Sequence, residues 1–439
     1  MKLEVIKSYT LAILVGISFL LTFSLWSYQS NSPYLEEEGL VNEEEIDLGG
    51  TTVTKKSIVQ PTSIIFNKYD NYFGFSDPGE REDLYHDIQT WVLYNFRVTD
   101  ANGAPNEGPQ VELTFPDALP MEMIPSIFTV NNTAEIDMPE NMFFQRMFIS
   151  LKSNNNTLTF IFLSTDGKTQ VKADVNNTQK RELLNDYMVK LTGLEEYTMI
   201  DDPGYPIYIP INPVDITKYY LDSAIIAPDV MKNILFLDPA EVVENVSDDN
   251  EIWYQDGQRS MRVFKNKLSM EYINSQETVY NPMSVTDLLD KSINRINSYK
   301  GWTDDFRLES VNTAQNNIRF QMYYDGYPVF NPDNLTIIEQ RWINDEVTEQ
   351  RRPLYQITDP YPESFKLESG NELIKYLKSH QTYNLTKIED IQIGYRLYSM
   401  ESLGNSRTLT LMPSWYVKMD GEWLQVTIDS ENVNRKGVS

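Results

Sequence analysis

SVTDLLDKSINRINSYKGW, residues 284–302, is the stretch on which the fold turns. Ser284 stands at an N-cap position and Asp287 follows three residues later, a variant of the capping box that opens a helix. On its N-terminal side, EIWYQDGQRSMRVFKNKLSMEYIN (251–274) reads as a strand hairpin about Asp256-Gly257. On its C-terminal side, FRLESVNTAQNNIRFQMYYDGYPVF (306–330) gives further strands with a second Asp-Gly at 325–326. The unit is strands, helix, strands. A helix laid on one face of an antiparallel sheet buries the alternating aromatic faces, which predicts the α+β class.

The last hundred residues run through the same plan. Strands in TIIEQRWINDEVTEQRRPLYQI (336–357) precede a helix opened by Ser369, SGNELIKYLKSH (369–380). IEDIQIGYRLYS (388–399) and RTLTLMPSWYVKMDGEWLQVTI (407–428) follow, with Asp420-Gly421 in the final turn. The sequence thus predicts two repeated units, residues 216–330 and 331–430, ahead of a disordered tail at 431–439.

Upstream, residues 51–199 read as a separate mixed α+β domain. SIVQPTSIIFNKYDNYFGF (57–75) is strand-rich, and Asp77-Pro78 opens a helix in GEREDLYHDIQTWVLYNF (79–96). LTFIFLSTDGKTQVKADV (158–175) alternates about Asp166-Gly167, and TQKRELLNDYMVKL (178–191) is an amphipathic helix closing this domain. IDDPGYPIYIPINPVD (200–215) holds four prolines and is expected to be an extended linker.

The N-terminal stretch SYTLAILVGISFLLTFSLWSY (8–28) carries no charge and is long enough to cross a hydrocarbon core of about 30 Å as a helix. It exceeds a signal-peptide core, lacks a small-x-small exit, and ends in Trp26 and Tyr28, residues suited to the membrane interface. Lys2 and Lys7 precede it, whereas Glu36, Glu37, Glu38, Glu43, Glu44 and Glu45 follow it within an acidic tether (29–50). This asymmetry predicts a single-pass protein of the cell membrane, with residues 1–7 cytoplasmic and the bulk of the chain outside. Ser8, Ala12 and Gly16 form a small-residue stripe at four-residue spacing, and Ser18 and Thr22 repeat that spacing with hydroxyls. Such stripes let another membrane helix approach closely, so these five residues are the candidate partner-binding positions.

Composition narrows the chemistry. The 64 Asp and Glu against 37 Lys and Arg leave a net charge of −27, which disfavours nucleic acid. There is no cysteine, which excludes disulfides, thiolate catalysis, thiolate zinc sites and a lipidated cysteine anchor. The only histidines are His86 and His380, and neither belongs to a metal-binding motif. Gly-x-Ser-x-Gly, Ser-x-x-Lys, Gly-x-Gly and P-loop patterns are all missing. The acidic clusters Asp201-Asp202, Asp248-Asp249-Asn250-Glu251 and Asp304-Asp305 lack calcium-loop spacing. The tyrosine-rich runs GYPIYIP (204–210) and MYYDGYPVF (322–330) read as packed strands rather than ligand platforms. The residues point to no enzyme and to no cofactor or metal.

Across residues 1–430 the chain resembles the YycH (WalH) family, accessory proteins of the WalK sensor kinase system of low-GC Gram-positive bacteria. The resemblance rests on KLEVIKSYTLAILVGISFLLTFSLW (2–26), PINPVDITKYYLDS (210–223), SGNELIKYLKSHQTYNLTKIEDIQIGY (369–395) and LMPSWYVKMDGEW (411–423). It implies one N-terminal membrane helix and three extracytoplasmic domains, the last two resembling each other and the partner protein YycI. It further implies action with YycI on WalK, partly through membrane helices, in the control of cell-wall metabolism. The family restrains the kinase in Bacillus-like members and activates it in staphylococcal ones. The acidic, lysine-poor composition is similar to the restraining type. A rival expectation is an extracytoplasmic sensor of a cell-wall fragment, lipid or cation; a cell-wall hydrolase is a third.

Overall fold

The computed structural model describes residues 47–106, 108–131, 138–151, 157–200, 205–275, 280–400 and 407–428. The predicted membrane helix, its five candidate residues and the tail lie outside these residues. Among the described residues no helix is long and apolar enough to cross a membrane.

The described strands form two sheets. The first contains β1 (Ser63–Lys68), β2 (Asn71–Phe75), β3 (Tyr94–Asp100), β4 (Gln110–Pro120), β5 (Phe143–Ser150), β6 (Thr157–Ser164), β7 (Thr169–Asn176), β8 (Leu194–Ile200) and β9 (Ile207–Pro210). Their spatial order is β3-β7-β6-β5-β4-β1-β2-β8-β9. Among the described residues the α-helices are α1 (Lys55–Ile58), α2 (Pro78–Thr90), α3 (Ile124–Ile127), α4 (Thr178–Lys190), α5 (Pro228–Leu235), α6 (Val285–Asn297) and α7 (Gly370–Ser379).

As expected, α2 starts with Pro78 in its first turn, and the Asp77 carboxylate accepts from the Gly79 N–H at 2.8 Å. It is shorter than the 79–96 pattern suggests. It stops at Thr90, and the β-favouring residues that follow become β3. The first core is a chain of rings in edge-to-face contact, Phe115–Phe144–Phe162–Phe128, with centroids 5.1–5.6 Å apart. Each ring buried this way contributes about 1.5–3 kcal/mol from lost water contact.

The second sheet holds β10 (Val214–Ile225), β11 (Val243–Val246), β12 (Ile252–Gln255), β13 (Arg259–Val263), β14 (Ser269–Asn274), β15 (Asp305–Asn312), β16 (Asn317–Tyr324) and β17 (Tyr327–Phe330). It continues through β18 (Ile337–Ile343), β19 (Glu346–Pro353), β20 (Tyr355–Leu367), β21 (Ile388–Met400), β22 (Arg407–Met419) and β23 (Glu422–Val426). The order is β11-β12-β13-β14-β19-β18-β16-β17-β21-β22-β10-β20, with β15 on β16 and β23 on β22. A short β17 bridges two halves, antiparallel to β16 and parallel to β21.

The strands-helix-strands plan is present twice. In each half the strand before the helix (β14 or β20) is separated from the hairpin after it (β15–β16 or β21–β22) by intervening strands. The helices dock as expected. α6 buries Val285, Leu288, Leu289, Ser292, Ile293 and Ile296 along one face, with the Asp287 N–H donating to Ser284 Oγ at 3.0 Å. α7 has a complete capping box between Ser369 and Glu372.

Strand pairing runs across the expected units 216–330 and 331–430. Strand β10 is inserted between β20 and β22 of the last unit, and the hairpin β18–β19 closes onto β14 and β16 of the middle one. Pairing follows the edge that leaves donors and acceptors unsatisfied, not chain order. The 200–215 linker is also partly structural. Ile207 and Ile209 are buried in β9, which pairs with β8. Finally, the end of the 29–50 tether is not free, because Asp47–Gly50 lies along the loop after α6.

On the outward face of the middle unit, cross-strand neighbours alternate in sign: Arg262, Glu271, Arg351, Glu339 and Arg319. Arg351 bonds Glu271 at 2.6 Å and Arg319 bonds Glu309 at 2.8 Å. This face is therefore locally neutral in a strongly acidic chain.

Candidate functional site

Where the two sheets meet, a cleft of about 640 Å³ is lined from three directions. The first domain supplies β4, β5, the β6–β7 turn and Tyr205-Pro206. The middle unit supplies β15 and β16, and the last unit supplies β21 and the β22–β23 turn. A second cavity of about 120 Å³ shares Thr62, Tyr323, Asp390 and Gln392 with it and reaches inward to Arg81, Glu195 and Tyr327.

The charges at this junction are mostly committed. Glu112 is buried and bonded by Arg146 Nε at 2.5 Å, and the Tyr208 hydroxyl donates to its other oxygen at 3.1 Å. Burial, then the Glu112 charge, hold the Tyr208 hydroxyl far above its usual range. Arg81 donates to the carbonyls of Thr62 at 3.2 Å and Gly326 at 2.7 Å, tying α2 to the β16–β17 turn. That turn needs Gly326, whose φ is +72° and where a Cβ would lie 2.4 Å from Pro78 Cβ. Two carboxyls titrate unusually. Burial pushes Glu195 up to about 7, and it pushes Asp390 up to about 6 despite bonds from Gln392 Nε2 at 2.6 Å and the Ile391 N–H at 2.8 Å.

Elsewhere the candidate groups serve structure. His86 is exposed on α2, and His380 stacks on Tyr376 with its Nδ1 2.8 Å from the Tyr376 carbonyl at the end of α7. Asp304 accepts the Ile357 N–H at 3.0 Å, while Asp305 pairs with Arg307 at 2.6 Å. Glu251 pairs with Arg262 at 2.8 Å. The Asp201-Asp202 doublet lies outside the described residues. Among the described residues no three His, Asp or Glu side chains are grouped to hold a metal. Tyr323 packs on Arg307 and Tyr324 on Tyr219, whereas Tyr205 stands exposed at the rim of the cleft. The cleft and the cavity beside it combine hydrogen-bonding side chains, rings and two protonatable carboxyls, Asp390 facing both and Glu195 the inner one, which suits capture of a polar molecule or proton uptake at a domain junction.

The model of the YycH protein N-terminal domain matches residues 4–191, and that of the YycH protein C-terminal domain matches residues 205–432. The chain belongs to the YycH family. It is 22% identical over 453 residues to the two-component system WalR/WalK regulatory protein YycH of Bacillus subtilis (strain 168), covering 98% of this chain and 97% of that protein. The crystal structure of YycH from Bacillus subtilis superposes with a TM-score of 0.69 at 18% identity, covering 87% of this chain and 99% of that one. The fold is thus the α+β YycH fold.

Sequence reading of this YycH chain missed the cleft. Its lining residues are scattered from Thr62 to Trp423 and share no motif; the local signs are the tyrosine-rich runs 204–210 and 322–330, which supply Tyr205, Pro206, Tyr323, Pro328 and Phe330. The five predicted partner-binding residues, Ser8, Ala12, Gly16, Ser18 and Thr22, lie outside the described residues.

Proposed function

We propose that this YycH-family chain is a non-enzymatic, membrane-anchored regulator that acts with a YycI-like protein on the WalK sensor kinase, restraining its output to cell-wall metabolism. The observation that carries this reading is the match over 98% of the chain to a protein named as a regulator of WalR/WalK. The uncharged 8–28 segment supplies the anchor, with the N-terminus cytoplasmic. The Ser8-Ala12-Gly16 and Ser18-Thr22 stripes supply the contact with partner membrane helices. A partner shifts a two-state kinase only by its differential affinity for the two states, so contacts worth about 1–3 kcal/mol suffice. Photocrosslinkers placed at positions 12, 16, 18 and 22 in living cells test this. Adducts with WalK or the YycI-like protein are expected, and adducts with neither would refute it.

The junction cleft favours a second reading, in which the exported domains sense a cell-wall fragment, lipid or cation and the helix reports occupancy. Deleting residues 40–439 separates the two: retained kinase control assigns the function to the helix, and lost control assigns it to the exported part.

A further inference from the structure

The chain leaves its acidic tether and docks on the middle unit before it enters the first domain. The Leu48 N–H donates to the Tyr299 carbonyl at 3.1 Å, Gly50 to Lys300 at 3.1 Å and Thr51 to Trp302 at 3.0 Å. Thr51 and Trp302 form an antiparallel bridge. Asn297, the last residue of α6, then takes both backbone groups of Val53: its Oδ1 accepts the N–H and its Nδ2 donates to the carbonyl, each at 2.9 Å. The same Oδ1 accepts from Trp302 Nε1 at 2.8 Å, which holds the amide in place. Leu48 is buried, Asp47 pairs with Lys300 at 2.6 Å, and Lys55 pairs with Asp290 of α6 at 2.8 Å. Gly50 is required by contact: a Cβ there would stand 2.4 Å from the Trp302 carbonyl oxygen and 2.6 Å from that of Lys300.

We propose that Asp47–Val53 is a clip coupling the membrane tether to the middle unit, so that force or displacement passes between the membrane helix and α6 without crossing the first domain. The route is short. The clip ends on α6 and the loop after it, and that loop leads directly into β15 and β16, which line the junction cleft. Rearrangement at the cleft therefore moves the anchor point of the tether. Three backbone bonds, the Asn297 pair and one buried leucine open as a unit, because each alone closes only a marginal contact. The coupling role rests on the membrane-anchored reading above, whereas the clip itself does not.

The test uses the full-length chain in lipid nanodiscs, followed by hydrogen exchange, with Gly50→Val and Thr51→Pro as variants. Thr51 is exposed, so the second variant removes the two donors, its N–H and Oγ1, that it offers to the Trp302 carbonyl, with no buried side chain replaced. In the wild type, the amides of Leu48, Gly50, Thr51 and Val53 are expected to exchange slowly, and each variant is expected to speed those it retains by about tenfold or more while β4–β7 are unchanged. Fast exchange of these amides in the wild type, or protection retained in both variants, would overturn the clip. In cells, WalR/WalK output is compared among the wild type, Gly50→Val, a chain lacking 40–439 and a strain without the protein. Coupling predicts that Gly50→Val matches the deletion and differs from the wild type. Output at the wild-type level in Gly50→Val overturns coupling while leaving the regulator reading intact. Equal output with and without the protein instead overturns the regulator reading, and the exchange data still decide the clip.

Discussion

The guanidinium of Arg307 lies 2.8 Å from a carboxylate oxygen of Glu82, joining β15 of the middle unit to α2 of the first domain across 225 residues of sequence. Arg307 is 5% exposed, pairs also with Asp305 at 2.6 Å, and stacks on Tyr323 at 4.3 Å. Truncating a buried ion-pair partner strands the opposite charge and typically costs about 3–5 kcal/mol. Arg307→Ala is expected to destabilise the protein by this amount. Glu82→Gln should cost less, about 1.5 kcal/mol, because Asp305 still neutralises the arginine. Urea unfolding monitored by tryptophan fluorescence orders the two, and equal losses would show that Glu82 alone carries the junction.

The cap of α7 offers a local test. Ser369 Oγ accepts the Glu372 N–H at 3.2 Å, and a Glu372 oxygen accepts the Ser369 N–H at 2.9 Å. Ser369→Ala is expected to cost about 1 kcal/mol. Ser369→Asp should recover part of this in thermal unfolding; identical melting curves for all three chains would mean the box contributes nothing.

Stability should fall with rising pH because of three partly buried carboxyls. Glu195 titrates near 7, and Asp390 and Asp304 near 6, each raised chiefly by burial. Their unfolded values lie near 4, so the folded state binds the protons more tightly. The stability they contribute is complete below about pH 4 and is lost as pH rises through 6 to 7. Around Glu195 the facing groups are Arg81, Tyr197 and Tyr327. Glu195→Gln removes one such group, so its melting temperature should gain on the wild type between pH 5 and pH 8. A difference that does not change with pH would contradict this.

Strand β20 is an edge of the second sheet, exposed from Asp359 to Ser364, yet its ladder to β10 runs unbroken from Leu367 to Pro360. Pro360 and Pro362 are two residues apart, so both missing donors lie on the same side of this edge strand, where proline is tolerated. This blunts the edge against pairing with another chain. Replacing both prolines by threonine should leave the fold intact and promote association, visible as a concentration-dependent shift in light scattering. A strictly monomeric double variant would show that other features protect the edge.

For the proposed membrane segment, Gly16→Leu or Ala12→Leu fills the small-residue stripe and should change WalR/WalK output while the protein still reaches the membrane. Wild-type output from both variants would remove the stripe from the contact.

What the sequence determined by itself is local. Asp77-Pro78, Ser284 and Ser369 mark helix starts because their side chains satisfy N–H groups two or three residues away. Asp325-Gly326 and Asp420-Gly421 mark hairpins because both residues of each pair take positive φ. The family motifs act similarly, as a pattern along the chain. Tertiary structure alone decided the long-range choices: β10 entering the last unit, β18–β19 closing the middle one, Glu195 and Asp390 meeting in one cavity, and Gly50 seated against Trp302. Partners in these contacts are up to about 250 residues apart, and no short-range periodicity encodes which of several similar strands completes an edge. The outcome depends on the summed burial and hydrogen bonding of the whole assembly, so the junction and the clip emerge only once every sheet is in place.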